Sequence, residues 1–107
     1  MMRRDRLRTS ESPDGRKIAT WRLLRAGAHI LRVQDRADAS PAYRWPGRKP
    51  LPLGAPGLVL FDELSPPDLA TVRDAFPGYL DLWDAAREDY WHALLDTSDL
   101  PATGTKG

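Results

Sequence analysis

The sequence predicts a small α+β domain: an antiparallel β-hairpin plus a third strand, covered by a C-terminal helical hairpin. Three observations predict it. Apolar and polar residues alternate through Lys17–Leu24 and again through Ala28–Asp35, on either side of a glycine-containing turn. A continuous apolar run, Leu58–Phe61, follows a proline-rich connector. From Ser65 onward, apolar side chains recur at helical spacing and are interrupted once, by Pro77-Gly78. At 107 residues the chain has the length of one domain. A hydrophobic content of 41%, with 10 Pro and 8 Gly, predicts a modest core and substantial irregular segments.

Residues 1–15 are polar, lack periodicity and carry Arg3, Arg4, Arg6 and Arg8, so they read as a disordered basic arm that ends at the Asp14-Gly15 turn signal. A single domain is expected over 16–97. A three-residue turn, Arg25-Ala26-Gly27, sets the predicted hairpin register: Ala19 opposite Val33, Trp21 opposite Leu31, Leu23 opposite His29, and Lys17 meeting Asp35. Those residues share the core face, and Thr20, Arg22, Arg32 and Gln34 lie on the other. The connector 36–57 holds Pro41, Pro46, Pro50, Pro52 and Pro56 and is expected to form no regular element, because proline fixes φ and removes donors. Leu58–Phe61 then reads as a buried third strand.

Ser65-Pro66-Pro67-Asp68 predicts a helix start, with Ser65 as cap, Pro66 at the first helical position and Asp68 completing a capping box. Pro77-Gly78 ends that helix. The second, over 79–96, places Tyr79, Leu80, Trp83, Tyr90, Trp91 and Leu94 in one sector, with Asp81, Asp84, Glu88 and Asp89 outside it. Residues 98–107 read as a disordered tail. Within it Leu100–Gly104, LPATG, resembles the LPxTG motif of sortase substrates, where cleavage falls at the bond corresponding to Thr103–Gly104. Only Thr105-Lys106-Gly107 follows, in place of an apolar segment and basic tail, so the expected reading is a chance match or an added tag.

Charge divides the chain. Residues 1–49 hold 13 Lys/Arg against 5 Asp/Glu, a net +8, and residues 50–107 hold 3 against 10, a net −7. Such a division points to a polyanionic partner, to neutralisation of one half by the other, or to a homo-oligomer joined through opposite-charge halves. With no cysteine, disulfides, thiol nucleophiles and zinc–thiolate or iron–sulfur centres are excluded. No apolar stretch approaches the roughly 20 residues of a membrane helix, and the basic N-terminus has no apolar run behind it. A cytoplasmic protein with no membrane partner is expected. Arg exceeds Lys 13 to 3 and Asp exceeds Glu 12 to 3, the codon pattern of a GC-rich genome, bacterial or phage.

The candidate contacts fall into three groups. Arg22 and Arg32 lie on the polar face of the hairpin. Tyr43, Arg44, Trp45, Arg48 and Lys49 interleave aromatic rings with cations, as surfaces that stack on bases and hold phosphates do. The competing reading folds Tyr43 and Trp45 back on the core, since a 22-residue connector needs an anchor. Asp81, Asp84 and Glu88 form a helical row that can face a basic partner or, with His92 one turn after Glu88, a divalent cation; an ordinary solvated face accounts for the same pattern. Arg87 and Trp91 join this group as an interface pair, or as an arginine lying along the tryptophan. The prolines of the connector have no PxxP spacing and read as a stiff spacer. His29 reads as a core residue. With two histidines and no cysteine, no nucleophile–base pair is assembled, and no catalytic, metal or cofactor residue is assigned. The expected function is non-enzymatic: occupation of a macromolecular partner, most simply another protein, as an accessory or inhibitory factor. The alternative is a nucleic-acid-binding module built from the basic half.

Overall fold

The computed structural model describes residues 7–24 and 27–95. Residues 1–6 of the expected arm, Arg25-Ala26 of the expected turn, Asp96, and the tail with LPATG lie outside the described residues. Six strands form one sheet in the order β1-β2-β3-β6-β4-β5: β1 Leu7–Glu11, β2 Lys17–Leu24, β3 Gly27–Asp35, β4 Tyr43–Arg44, β5 Lys49–Pro50 and β6 Leu58–Leu60. All neighbours are antiparallel except β4 and β6. Helices α1, Leu69–Ala75, and α2, Leu80–Leu95, are joined by a 3-10 turn at Pro77–Tyr79 and pack on one side of the sheet. The predicted α+β class, with hairpin, third strand and helical pair, is the observed architecture.

The core lies between the layers, where Trp21, Ile30, Val33, Phe61, Val72, Leu82 and Trp83 are fully buried. Several elements differ from expectation. Residues 7–11, expected to be disordered, pair with β2, Ser10 opposite Ala19 and Arg8 opposite Trp21. The inward positions of this strand, Arg8 and Ser10, are polar rather than apolar. Trp21 Nε1 donates to Ser10 Oγ at 2.9 Å, and Ser10 Oγ donates to Asp89 Oδ2 on α2 at 2.6 Å. Polar residues thus satisfy a buried indole and tie the strand to the helix.

The hairpin register holds from Lys17–Asp35 to Thr20–Arg32 and then shifts, so that Trp21 pairs with Ile30, Leu23 with Ala28 and Leu24 with Gly27. A bulge at Leu31 takes up the extra residue. It places Ala28, Ile30, Val33 and Asp35 on the core face and moves Leu31 and His29 off it, correcting the expected Trp21–Leu31 and Leu23–His29 pairs. The connector also contains structure: β4 and β5 form a two-residue hairpin despite Pro46 and Pro50. Pro50 ends an edge strand, the position in a sheet where a missing donor is tolerated.

The cap of α1 is Asp68, not Ser65: its Oδ1 accepts from Thr71 N–H at 2.9 Å, and this bond holds its carboxyl below the usual carboxylate range. Pro66-Pro67 stays outside the helix, with Pro67 C=O accepting from Ile30 N–H at 2.8 Å as an extra bond to β3, and Ser65 lies in a bend before it. On α2 the buried stripe is Leu82, Trp83, Ala86 and Ala93. The small Ala86 and Ala93 let the helix approach the sheet, and this turns Leu80 and Trp91 outward, against the predicted sector.

Candidate binding surface

The helices cover one face of the sheet, and the other face is where the predicted basic residues meet. Cross-strand pairing builds a continuous row, Thr9–Thr20–Arg32–Leu60–Arg44–Lys49, running from β1 across β2, β3, β6 and β4 to β5. Directly paired residues project to the same side, so this row lies on the open face. Arg22, two residues along β2 from Thr20, shares it. At about 4.8 Å per strand, Arg32 and Arg44 stand roughly 10 Å apart with Leu60 between them, and Lys49 is about one strand further. Arg32, Arg44 and Lys49 are exposed, and no carboxylate interrupts the row. Leu60 is half-buried between Arg32 and Arg44, and Ile18 and Leu58 are half-buried in the neighbouring row, Glu11–Ile18–Gln34–Leu58. Neither Leu60 nor Leu58 was recognised from sequence as part of a site. A three-residue strand carries too few alternations to reveal its outward face.

The aromatic members of the expected loop site go to the other side. Trp45 lies against Phe61 and Phe76, with ring centroids 5.4 and 5.8 Å apart. Phe76 continues to Tyr79 and Trp83, each ring 6.0 Å from the last. This ladder anchors the connector to the helical layer, as the competing reading required. Tyr43 pairs with Val59 and Pro50 and faces inward. The Arg48 guanidinium sits 5.0 Å from the Tyr43 ring centroid, away from Arg44. Arg48 adopts φ 54°, a left-handed conformation uncommon for a residue with a side chain, next to Gly47 at φ 95°. Tyr43, Arg48, Phe76 and Tyr79, with Asp38 and Ser40, line a half-open cavity of about 220 Å³.

Tyr79, one wall of that cavity, also meets a partly buried ionic pair, Lys17 and Asp81. Lys17 is 7% exposed, its Nζ contacts both Asp81 oxygens at 3.2 Å, and it stands 5.8 Å from the Tyr79 ring centroid. Asp35, 6% exposed, accepts from Ala37 N–H at 3.0 Å. Burial, with the charges of Asp35 and Asp38 nearby, pushes the Tyr79 phenol up from 10.0 to about 12. The folded chain therefore holds this proton more tightly than the unfolded chain does. The resulting stability is complete below pH 10.0 and is lost as pH rises towards about 12. The urea midpoint is expected to fall across that window, and Tyr79→Phe, titrated in parallel, is expected to fall less.

The acidic row of α2 is divided by its partners. Asp81 holds Lys17, Asp84 pairs with Arg73 NH1 at 2.6 Å, and Asp89 accepts from Ser10, which leaves Glu88 outward beside Arg87. Trp91 is 52% exposed and meets Tyr90 edge-on at 5.8 Å. His92 is exposed, and among the described residues no three His, Asp or Glu side chains converge as metal ligands. His29 sits beside Pro66 C=O, its Nδ1 at 3.1 Å, where α1 joins the sheet. The twelve expected contact residues therefore separate onto different surfaces. Arg22, Arg32, Arg44 and Lys49 share the open sheet face, Tyr43, Trp45 and Arg48 face the helical layer, and Asp84, Arg87, Glu88 and Trp91 lie on the outside of α2, with Asp81 turned towards Lys17. Among the described residues, no helix is long and apolar enough to cross a membrane. No family model, no curated protein and no solved structure matches the chain.

Proposed function

We propose that this chain is a non-enzymatic binding protein that docks its open sheet face on an acidic surface of another protein. The observation that carries the reading is the row of Arg32, Arg44 and Lys49 with Leu60 set into it. Leu60 sits between the two arginines, with half-buried Ile18 and Leu58 in the next row, and arginine beside apolar area is the composition of a protein contact. The aromatic rings that single-stranded nucleic acid would stack on, Tyr43 and Trp45, are turned to the other side of the sheet. The reading sets the contact in the cytoplasm of a bacterium or a phage-infected cell, in keeping with an Arg-rich chain without cysteine.

The test is a nuclease-treated pull-down from such extracts with the intact chain and with the Arg32→Glu/Arg44→Glu variant. Both positions are exposed, so the variant is expected to fold normally, as circular dichroism will check. A captured protein retained by the intact chain is expected to bind the variant at least 100-fold more weakly, and its affinity for the intact chain is expected to fall with salt. Capture that disappears on nuclease treatment would assign the face to phosphate instead. Equal capture by both chains would sink the reading.

A further inference from the structure

The outward face of α2 carries a second feature that the fold does not use. Leu80, Trp91 and Leu95 are 44%, 52% and 76% exposed, on a helix whose buried stripe is supplied by other residues. Leu80, Asp84, Arg87, Trp91 and Leu95 follow one another at spacings of four, three, four and four, which places them along one seam. A shallow groove of about 510 Å³ runs beside it, lined by Asp84, Arg87, Glu88, Trp91, His92 and Leu95. A helix that already buries one face normally shows charge on the other. Here three large apolar side chains are spread over its length.

The order of residues selects the occupant. A two-fold axis passing between residues 87 and 88 turns the seam onto itself. Leu80 then falls on Leu95 of the second copy, Arg87 on Glu88, and Asp84 on Trp91, whose indole N–H is a donor. A parallel arrangement would instead set Arg87 on Arg87 and Glu88 on Glu88. The seam is therefore self-complementary in apolar contact and in charge only when antiparallel, as an isologous interface must be. We propose that two copies of this chain associate through an antiparallel α2–α2 contact, Leu80 of each against Leu95 of the other and Arg87 against Glu88. One helix of 16 residues spans about 24 Å, a seam at the low end of interface sizes, which corresponds to micromolar rather than nanomolar association. In the single chain Asp84 accepts from Arg73 through Oδ1 and its side chain is 62% exposed, so Oδ2 can meet the indole N–H of the second copy without loss of that bond.

Sedimentation equilibrium of the intact chain tests the proposal, over about 5–500 μM. A reversible monomer–dimer equilibrium is expected. Trp91→Lys and Arg87→Glu should each weaken it at least tenfold, with thermal unfolding little changed because both side chains are exposed. The double variant Arg87→Glu/Glu88→Arg restores the pairing with its signs exchanged, and it should dimerise more tightly than Arg87→Glu alone. Arg32→Glu/Arg44→Glu should leave the equilibrium unchanged, which separates this contact from the sheet face. A monomer at every concentration would overturn the proposal, as would a dimer indifferent to Trp91→Lys, a charge exchange that fails to recover association, or a dimer lost with the sheet-face arginines.

Discussion

Replacing Trp21 with alanine is expected to cost about 3–5 kcal/mol, a large fraction of the roughly 5–15 kcal/mol by which a domain of this size is stable. The ring is completely buried at the centre of β2 and meets Tyr90 of α2 edge-on, with centroids 6.2 Å apart. Truncation removes that burial and leaves a cavity between the layers. It also removes the donor to Ser10, whose hydroxyl remains tied to Asp89. Trp21→Phe separates the two contributions. It keeps most of the apolar volume and loses the indole N–H, so it is expected to cost about 1–3 kcal/mol. Urea denaturation of the two variants measures both. If Trp21→Phe were as damaging as Trp21→Ala, the hydrogen-bond chain rather than the packing would hold β1 and α2 together.

The second large effect is expected at Gly57, the residue before β6. Its N–H donates to Ser40 C=O at 2.8 Å, and its C=O accepts from Asp35 N–H at 3.0 Å, so both of its backbone groups are committed. It has φ 79°, and a Cβ there would lie 2.2 Å from Asp35 O and 2.7 Å from Asp38 O. Those are backbone atoms, and one belongs to the end of β3, so neither can step aside cheaply. Gly57→Ala combines left-handed strain with this clash and is expected to cost about 3 kcal/mol or more. For a chain of this size that lowers the thermal midpoint by about 10–20 °C. Gly78 is the control: nothing lies within 4 Å of its added Cβ, and its φ is not in the left-handed region, so Gly78→Ala should change little. The Gly57 variant also bears on the binding surface, because β6 joins Arg32 to Arg44. A shifted β6 should weaken binding to the sheet-face partner even at temperatures where the chain remains folded.

The elements that were legible from sequence are those whose burial is apolar and periodic. β2, most of β3, β6 and both helices announce themselves through Trp21, Val33, Val59, Trp83 and their neighbours. β1 did not, because its inward residues, Arg8 and Ser10, are polar, and the buried hydrogen-bonding Ser10, with Ser12 just beyond the strand, looks like a loop residue in the sequence. The bulge at Leu31 was hidden by a run with apolar residues at 30, 31 and 33, which fits either face until the partner strand is fixed. The cap of α1 was assigned to Ser65, three residues before the actual cap Asp68, since the bond from Ile30 N–H to Pro67 C=O is a tertiary fact. In α2 the expected inward sector included Leu80 and Trp91 and left out Leu82, Ala86 and Ala93, which are buried. The close approach of helix to sheet reversed that assignment. Of the binding surface, Arg22 and Arg32 were legible from simple alternation. Their continuity with Arg44 and Lys49 was not, because it depends on a parallel pairing of two-residue strands. The division of charge along the chain becomes, in the fold, a basic open face on one side and an acidic helix on the other.

The bond from Ser10 to Asp89 has a consequence for how the chain is made. A ribosome adds residues at about 5–20 per second, so α2 leaves it seconds after β1, β2 and β3. During that interval the hairpin can pair, but Trp21, Ile30 and Val33 have no helical layer over them. The nascent sheet offers an apolar surface to chaperones or to neighbouring chains until Leu82, Trp83 and Ala86 arrive. Docking of α2 is then the step that covers the apolar face of the sheet.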